Sequence, residues 1–214
     1  MKIIDVVQGT DAWLAVRLGI PSASRFHDIV GNATGELSRA RGSKTELGQG
    51  AKSYAAELIA EALLGRPLEK PPGSPFAIVR GKELEPLAVQ QYEFTTDDNR
   101  LGCSPDRLVI GARGGVEIKC ALDGNHMRIF IDGPGDDYKP QVQGQLAIAE
   151  LEWVDFYAYH PHLPPRLIRT CRDEPYIAKL NAALTEFLDI RDAMLIKARA
   201  SGFFEERAAL AEAA

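Results

Sequence analysis

Asp106, Glu117 and Lys119 sit in the run Cys103-Ser104-Pro105-Asp106 through Gly114-Gly115-Val116-Glu117-Ile118-Lys119. Side chains alternate faces along a strand, so Glu117 and Lys119 share one face and Ile118 takes the other. A hairpin turning at Gly111-Ala112-Arg113-Gly114-Gly115 would bring Asp106 back toward Glu117. Two carboxylates and the Ile118 carbonyl are hard oxygen donors, the set that suits Mg²⁺ or Mn²⁺. A divalent ion there lowers the pKa of bound water and neutralises charge on a phosphodiester under attack, and Lys119 can orient that water or stabilise the same charge. A Glu-Xaa-Lys tripeptide alone reads equally as a surface salt bridge on an edge strand. The Ser-Pro-Asp at hairpin distance is what tips the reading toward chemistry.

The elements that must position these groups follow from periodicity and punctuation. Residues 10–18 and 22–30 read as short helices separated by Gly19-Ile20-Pro21, with Ser22 as an N-cap. Residues 45–64 form a stronger helix, with Leu47, Ala51, Tyr54, Leu58 and Ala62 at helical spacing and Gly65-Arg66-Pro67 as its stop. Residues 66–75 read as a loop, and 76–94 as a helix kinked or restarted near Pro86. Strands are expected at 100–104, 106–112, 114–120, 153–159 and 166–171. Helices are expected at 139–151, with Pro140 in the first turn, and at 174–200. This order gives an α/β core with helical additions. The chain is expected to be one nuclease domain over 1–214: a mainly helical part (1–98), a catalytic sheet region (99–172), and a C-terminal helix and tail (173–214).

Composition narrows the class. The chain has 214 residues, 45% hydrophobic and 26% charged, with a net charge of −5. That balance argues against a generally basic nucleic-acid coat, although cations can still be concentrated on one surface. No apolar run approaches the roughly 20 residues that span a bilayer, and the N-terminus lacks a signal-peptide pattern, so a soluble cytoplasmic protein without membrane contact is expected. The three cysteines, Cys103, Cys120 and Cys171, are expected to be reduced thiols, too few for an all-cysteine metal cluster. His160-Pro161-His162 is followed by Leu-Pro-Pro and reads as a turn. Trp13, on a short helix, reads as packing.

Pro105-Asp106 followed by Glu117-Ile118-Lys119 resembles the PD-(D/E)XK nuclease signature. More closely, the chain resembles the phage lambda exonuclease and YqaJ-like viral recombinase family. The resemblance rests on Asp11-Ala12-Trp13 with Arg17-Leu18-Gly19, on Ser22-Ala23-Ser24, on Gly81-Lys82-Glu83-Leu84-Glu85, on Cys103 to Asp106, on Glu117 to Cys120, and on Gln141-Val142-Gln143. These come in the family's order and cover roughly residues 10–160.

The resemblance implies a restriction-endonuclease-like core, a central mixed β-sheet flanked by helices. It implies that Asp106, Glu117 and the Ile118 carbonyl hold the main metal, that Glu85 contributes to the metal site and to a second ion, and that Lys119 assists the attacking water. Gln143 would lie near the scissile phosphate or the metal-bound water. Arg17, Ser24 and Ser104 would bind a 5′-terminal phosphate, a role that a guanidinium fork and hydroxyls suit. The family's second basic residue of that pocket falls at Asn125, with His126 or Arg128 as neighbouring substitutes.

The activity implied is that of a Mg²⁺-dependent 5′→3′ exonuclease on double-stranded DNA. It would release 5′-mononucleotides and leave 3′ overhangs, as a ring-shaped homotrimer beside a single-strand annealing recombinase. An endonuclease or junction resolvase on the same core, or a non-catalytic DNA-end-binding module, are the alternatives.

Overall fold

Two small sheets carry the residues in question. The computed structural model describes residues 1–6, 10–30, 48–68, 93–109 and 111–200. The first sheet has three antiparallel strands in the order β1 (Lys2–Ile4), β2 (Glu93–Thr95), β3 (Gly102–Cys103). The second has the order β4 (Arg107–Leu108), β5 (Gly114–Lys119), β6 (Trp153–Ala158), β7 (Arg166–Cys171). Within it β5 and β6 run parallel, with Glu117 opposite Phe156 and Lys119 opposite Ala158, and the outer pairs are antiparallel. A parallel pair needs a crossover. The chain supplies it with α4 (Asp123–Asp132) and α5 (Gly135–Ile148).

The N-terminal helices are α1 (Asp11–Arg17), α2 (Phe26–Val30) and α3 (Gln49–Leu64). Thr10 caps α1, its hydroxyl accepting from the Trp13 N–H at 3.3 Å. α3 ends on Gly65 in the left-handed conformation, where a glycine carries no Cβ penalty. The last helix, α6 (Glu174–Arg199), starts with Asp173 accepting from the Tyr176 N–H.

Leu146 and Val142 of α5, Phe156 and Val154 of β6, Leu180, Leu184 and Phe187 of α6, and Tyr54 and Leu58 of α3 form one buried cluster. Phe26 is fully buried in it. Gly144 permits this: a Cβ at that position would come within 2.6 Å of the Phe26 ring. The close approach ties the N-terminal segment to α5, and Ser22 adds a parallel bridge to Gly102 of β3.

The α/β class and mixed sheet agree with expectation, as do β6, β7 and α6 to within a residue or so. Several boundaries are corrected. Residues 93–95 are a strand rather than a helix end, because Phe94 pairs with Cys103 and tertiary pairing overrides local propensity. Together with β1 they make the N-terminal part less purely helical than expected. The stretch 22–30 is a 3₁₀ turn over Ala23–Arg25 followed by α2. Ser22 makes no side-chain cap bond there. α5 begins at Gly135, so Pro140 lies beyond its first turn. α4 was not anticipated. The expected helix over 76–92, Glu85 within it and the tail 201–214 lie outside the described residues. Among the described residues no helix is long and apolar enough to cross a membrane. All three cysteines are free thiols.

Candidate active site

β5 places Glu117 inward, only 3% exposed, in a position where a lone carboxylate would be costly. Three donors compensate it. Lys119 Nζ and Gln141 Nε2 each donate to Glu117 Oε1 at 2.5 Å, and Gln145 Nε2 donates to Oε2 at 2.6 Å. Gln141 and Gln145 stand one turn apart on α5, hence on one face of it. Burial pulls the Lys119 ammonium down, but the Glu117 charge beside it outweighs this and holds it above its ordinary value. Asp106, also buried, accepts from the Ile118 N–H at 2.6 Å. That bond crosses the hairpin and fixes Asp106 beside the Glu117–Lys119 strand.

A second acid–cation pair lies beside the first. Arg17 Nη1, at the end of α1, donates to Glu93 Oε2 and to Ser104 Oγ, both at 3.0 Å. Ser104 in turn donates its hydroxyl proton to Glu93 Oε2. Glu93 is 1% exposed. Burial pushes its carboxyl above the ordinary value, with Arg17 and Ser104 pulling only partly the other way. The Arg17 guanidinium rests over the Trp13 ring, 4.2 Å from its centroid. Ser22 and Ser24 hydroxyls pair at 3.0 Å.

Both constellations open on one cleft of about 250 Å³. Its walls include Arg17, Ser24 and Ser104 together with Asp106, Glu117, Ile118 and Lys119, and also Trp13, Gln141 and Gln145. Among the described residues, the sequence-derived site residues other than Gln143 therefore line one cleft.

Gln143 is a correction. It is 2% exposed. Its amide donates to the Cys171 carbonyl at 3.0 Å and accepts from the Asp173 N–H at 2.9 Å, tying α5 to the β7–α6 junction. Two residues along a helix is about 200° of rotation, so Gln143 cannot share the face of Gln141. Gln145 takes that place, and the i, i+4 spacing of the two glutamines was the available signal. Trp13 is likewise corrected from core packing to a wall of the cleft beneath Arg17. Glu93 was missed because its stretch read as helix.

Asn125 accepts from Arg128, which is exposed and also reaches Asp137. His126 is fully buried against the Pro164 carbonyl, so it is no surface substitute for a phosphate ligand. His160 holds Asp123 at 2.9 Å and accepts from the His162 N–H, which agrees with a turn.

Asp106, Glu117 and the Ile118 carbonyl fit a hard divalent ion: they are oxygen donors facing one polar cleft with a cation alongside. Among the described residues no group of three or more His, Cys, Asp or Glu side chains is placed to hold a metal. The fit therefore rests on two carboxylates and a backbone carbonyl.

Residues 12–152 match the YqaJ-like viral recombinase domain, and the chain belongs to that family. It is a nuclease of the PD-(D/E)XK class by this membership and fold. The crystal structure of an alkaline exonuclease (LHK-Exo) from Laribacter hongkongensis is 27% identical with a TM-score of 0.70. The match covers 90% of this chain and 98% of that one. The complex of LHK-Exo with dAMP matches with 28% identity and a TM-score of 0.69 over the same shares. A phage related exonuclease from Haemophilus somnus 129PT, 17% identical with a TM-score of 0.60 over 83% of this chain and 96% of that one, shares the fold. A search of curated proteins gave no significant match.

Proposed function

We propose that this family member is a Mg²⁺-dependent 5′→3′ exonuclease. It degrades one strand of linear double-stranded DNA to 5′-mononucleotides and leaves 3′ overhangs for recombination by strand annealing. The observation that carries the reading is the single cleft joining Arg17, Ser24 and Ser104 to Asp106, Glu117 and Lys119. A phosphate anchored by the first group places the next linkage toward the second. This supports a 5′→3′ polarity, since an end lacking the 5′-phosphate has nothing to anchor. The likeness to LHK-Exo, an alkaline exonuclease also solved with dAMP, supports the same reading.

Asp106, Glu117 and the Ile118 carbonyl would hold Mg²⁺, with Mn²⁺ as a substitute. Glu85 is the proposed contributor to a second ion. The bound metal would supply Lewis-acid neutralisation of phosphate charge and acidify water. The chain's own residues do the rest. Gln141 and Gln145 fix the Glu117 carboxylate, so its oxygens need no reorganisation when the substrate arrives. Lys119 brings a fixed positive charge and N–H donors to the same place, where they can orient the attacking water and stabilise the charge that develops. Arg17 and Ser104 bind the terminal phosphate by charge-assisted hydrogen bonds. A homotrimeric ring around the duplex and an annealing recombinase acting on the overhang belong to the same proposal, on the family resemblance.

The test is digestion of a linear duplex labelled separately at each 5′ and each 3′ end, with and without Mg²⁺. Early release of 5′ label as mononucleotide, only with metal, is the expected result. Internal cuts, early 3′ release or metal-independent cleavage would each overturn the reading.

A further inference from the structure

The phosphate pocket contains an anion of its own. Arg17 Nη1 has both its acceptors in Glu93 and Ser104, and Ser104 spends its only hydroxyl proton on Glu93. The three groups close a hydrogen-bonded triangle. A phosphate ester dianion brings acceptors and no donor. To use the Ser104 hydroxyl it must take that proton from Glu93, and to use the full Arg17 charge it must compete with the Glu93 carboxylate.

The triangle is built in. Glu93 is 1% exposed on β2, so its carboxylate has no route to solvent as an alternative partner. Gly102 on the neighbouring strand makes the space, since a Cβ there would stand 2.8 Å from Glu93 Oε1. Ser104 follows two residues later, facing the same carboxylate across the β2–β3 pair.

We propose that Glu93 is the positioning residue of this pocket and its internal competitor. It holds Arg17 and Ser104 aligned while the pocket is empty, and it weakens the bound phosphate enough for the end to be released at every cycle. The proposal rests on the phosphate-pocket reading above. A nuclease that removes nucleotides one after another must let go of each terminal phosphate, and a pocket with an uncompensated guanidinium would hold it. With Glu93 in place the pocket's own charge is close to neutral, and the phosphate gains only the difference between its contacts and those of the carboxylate.

Glu93→Gln keeps the side chain's shape and an acceptor for Arg17 and Ser104 but removes the competing charge. The affinity of the full-length protein for duplexes with 5′-phosphate and with 5′-hydroxyl ends would be measured in EDTA, so that nothing is cleaved. Glu93→Gln should bind the phosphorylated end at least 5-fold more tightly while its affinity for the hydroxyl end stays within 2-fold. With Mg²⁺, its turnover under excess substrate should fall below wild type while KM falls too. Unchanged or weaker binding of the phosphorylated end would overturn the proposal, as would equal tightening for both ends.

A second measurement avoids mutation. In ¹³C-labelled wild-type protein, the Glu93 carboxyl resonance should shift when the phosphorylated duplex is added and stay fixed with the hydroxyl duplex. A resonance unmoved by either duplex would also overturn it. The underlying pocket reading fails separately, and visibly, if wild type itself shows no preference for phosphorylated ends and Arg17→Ala leaves the ratio unchanged.

Discussion

Two buried carboxylates are each paired with a cation of one cleft, Glu117 lining it and Glu93 reaching it through Arg17 and Ser104, and the pairs are built differently. Glu117 meets Lys119 two residues away on its own strand, and two amides from α5 complete its shell. Glu93 meets Arg17 across 76 residues of sequence and shares it with Ser104. Lysine is a compact point charge on a flexible stem, suited to a place where charge develops and water must be oriented. Arginine is a planar fork with donors in fixed directions, suited to recognising a phosphate. On the proposed function the cleft would divide its labour by the kind of cation it uses: reaction beside the lysine, anchoring beside the arginine.

The largest test of this division is Lys119→Ala. Hydrolysis should fall on the order of 10²- to 10⁴-fold, while duplex binding in EDTA and the preference for a 5′-phosphate remain. Full activity in the variant would reduce Lys119 to a structural partner of Glu117 and erase the contrast between the two pairs.

A smaller effect separates the glutamines of α5. Gln145→Ala should lower Mn²⁺ affinity, measured by titration, because Glu117 Oε2 loses its donor. Gln143→Ala should leave metal affinity and rate per folded molecule unchanged but lower unfolding stability by about 1–3 kcal/mol, since two buried partners lose their bonds. Reversed outcomes would return Gln143 to the reaction centre.

The smallest effect concerns Glu93 and pH. Its folded-state carboxyl is raised by burial, so the native protein holds that proton to higher pH than the unfolded chain. The stability this site contributes is full below the ordinary value of 4.5 and is lost as pH rises through the native value. Glu93→Gln, permanently neutral, should unfold at neutral pH no more easily than wild type. The difference should close below the ordinary value. A variant less stable than wild type at neutral pH, with the deficit closing on acidification, would mean that the buried charge stabilises the fold.

The same contrast explains how far the sequence could be read. Asp106, Glu117 and Lys119 are joined by a local hairpin whose turn residues and alternation are written within one short stretch, so their convergence was legible. The helical period of α3 and α6 was equally plain, because their apolar residues recur over several turns. Arg17, Ser24 and Ser104 had no local signal, and only their resemblance to a family pattern connected them. Glu93 lay beyond reach, because its stretch carries no strand signature and becomes one only by pairing with β3. Gln143 follows from a motif read without its helical rotation, which puts Gln141 and Gln145 on one face.

The parallel pairing of β5 with β6 has a consequence for how the enzyme comes into being. The β4–β5 hairpin can close as soon as it leaves the ribosome, but β5 cannot acquire its second neighbour until the whole 120–152 crossover has been made. Until α5 docks, Glu117 lacks two of its three donors and remains hydrated. The emerging polypeptide therefore passes through synthesis with the proposed cutting centre unassembled, and competence to attack DNA would arrive late, with the folding of the crossover.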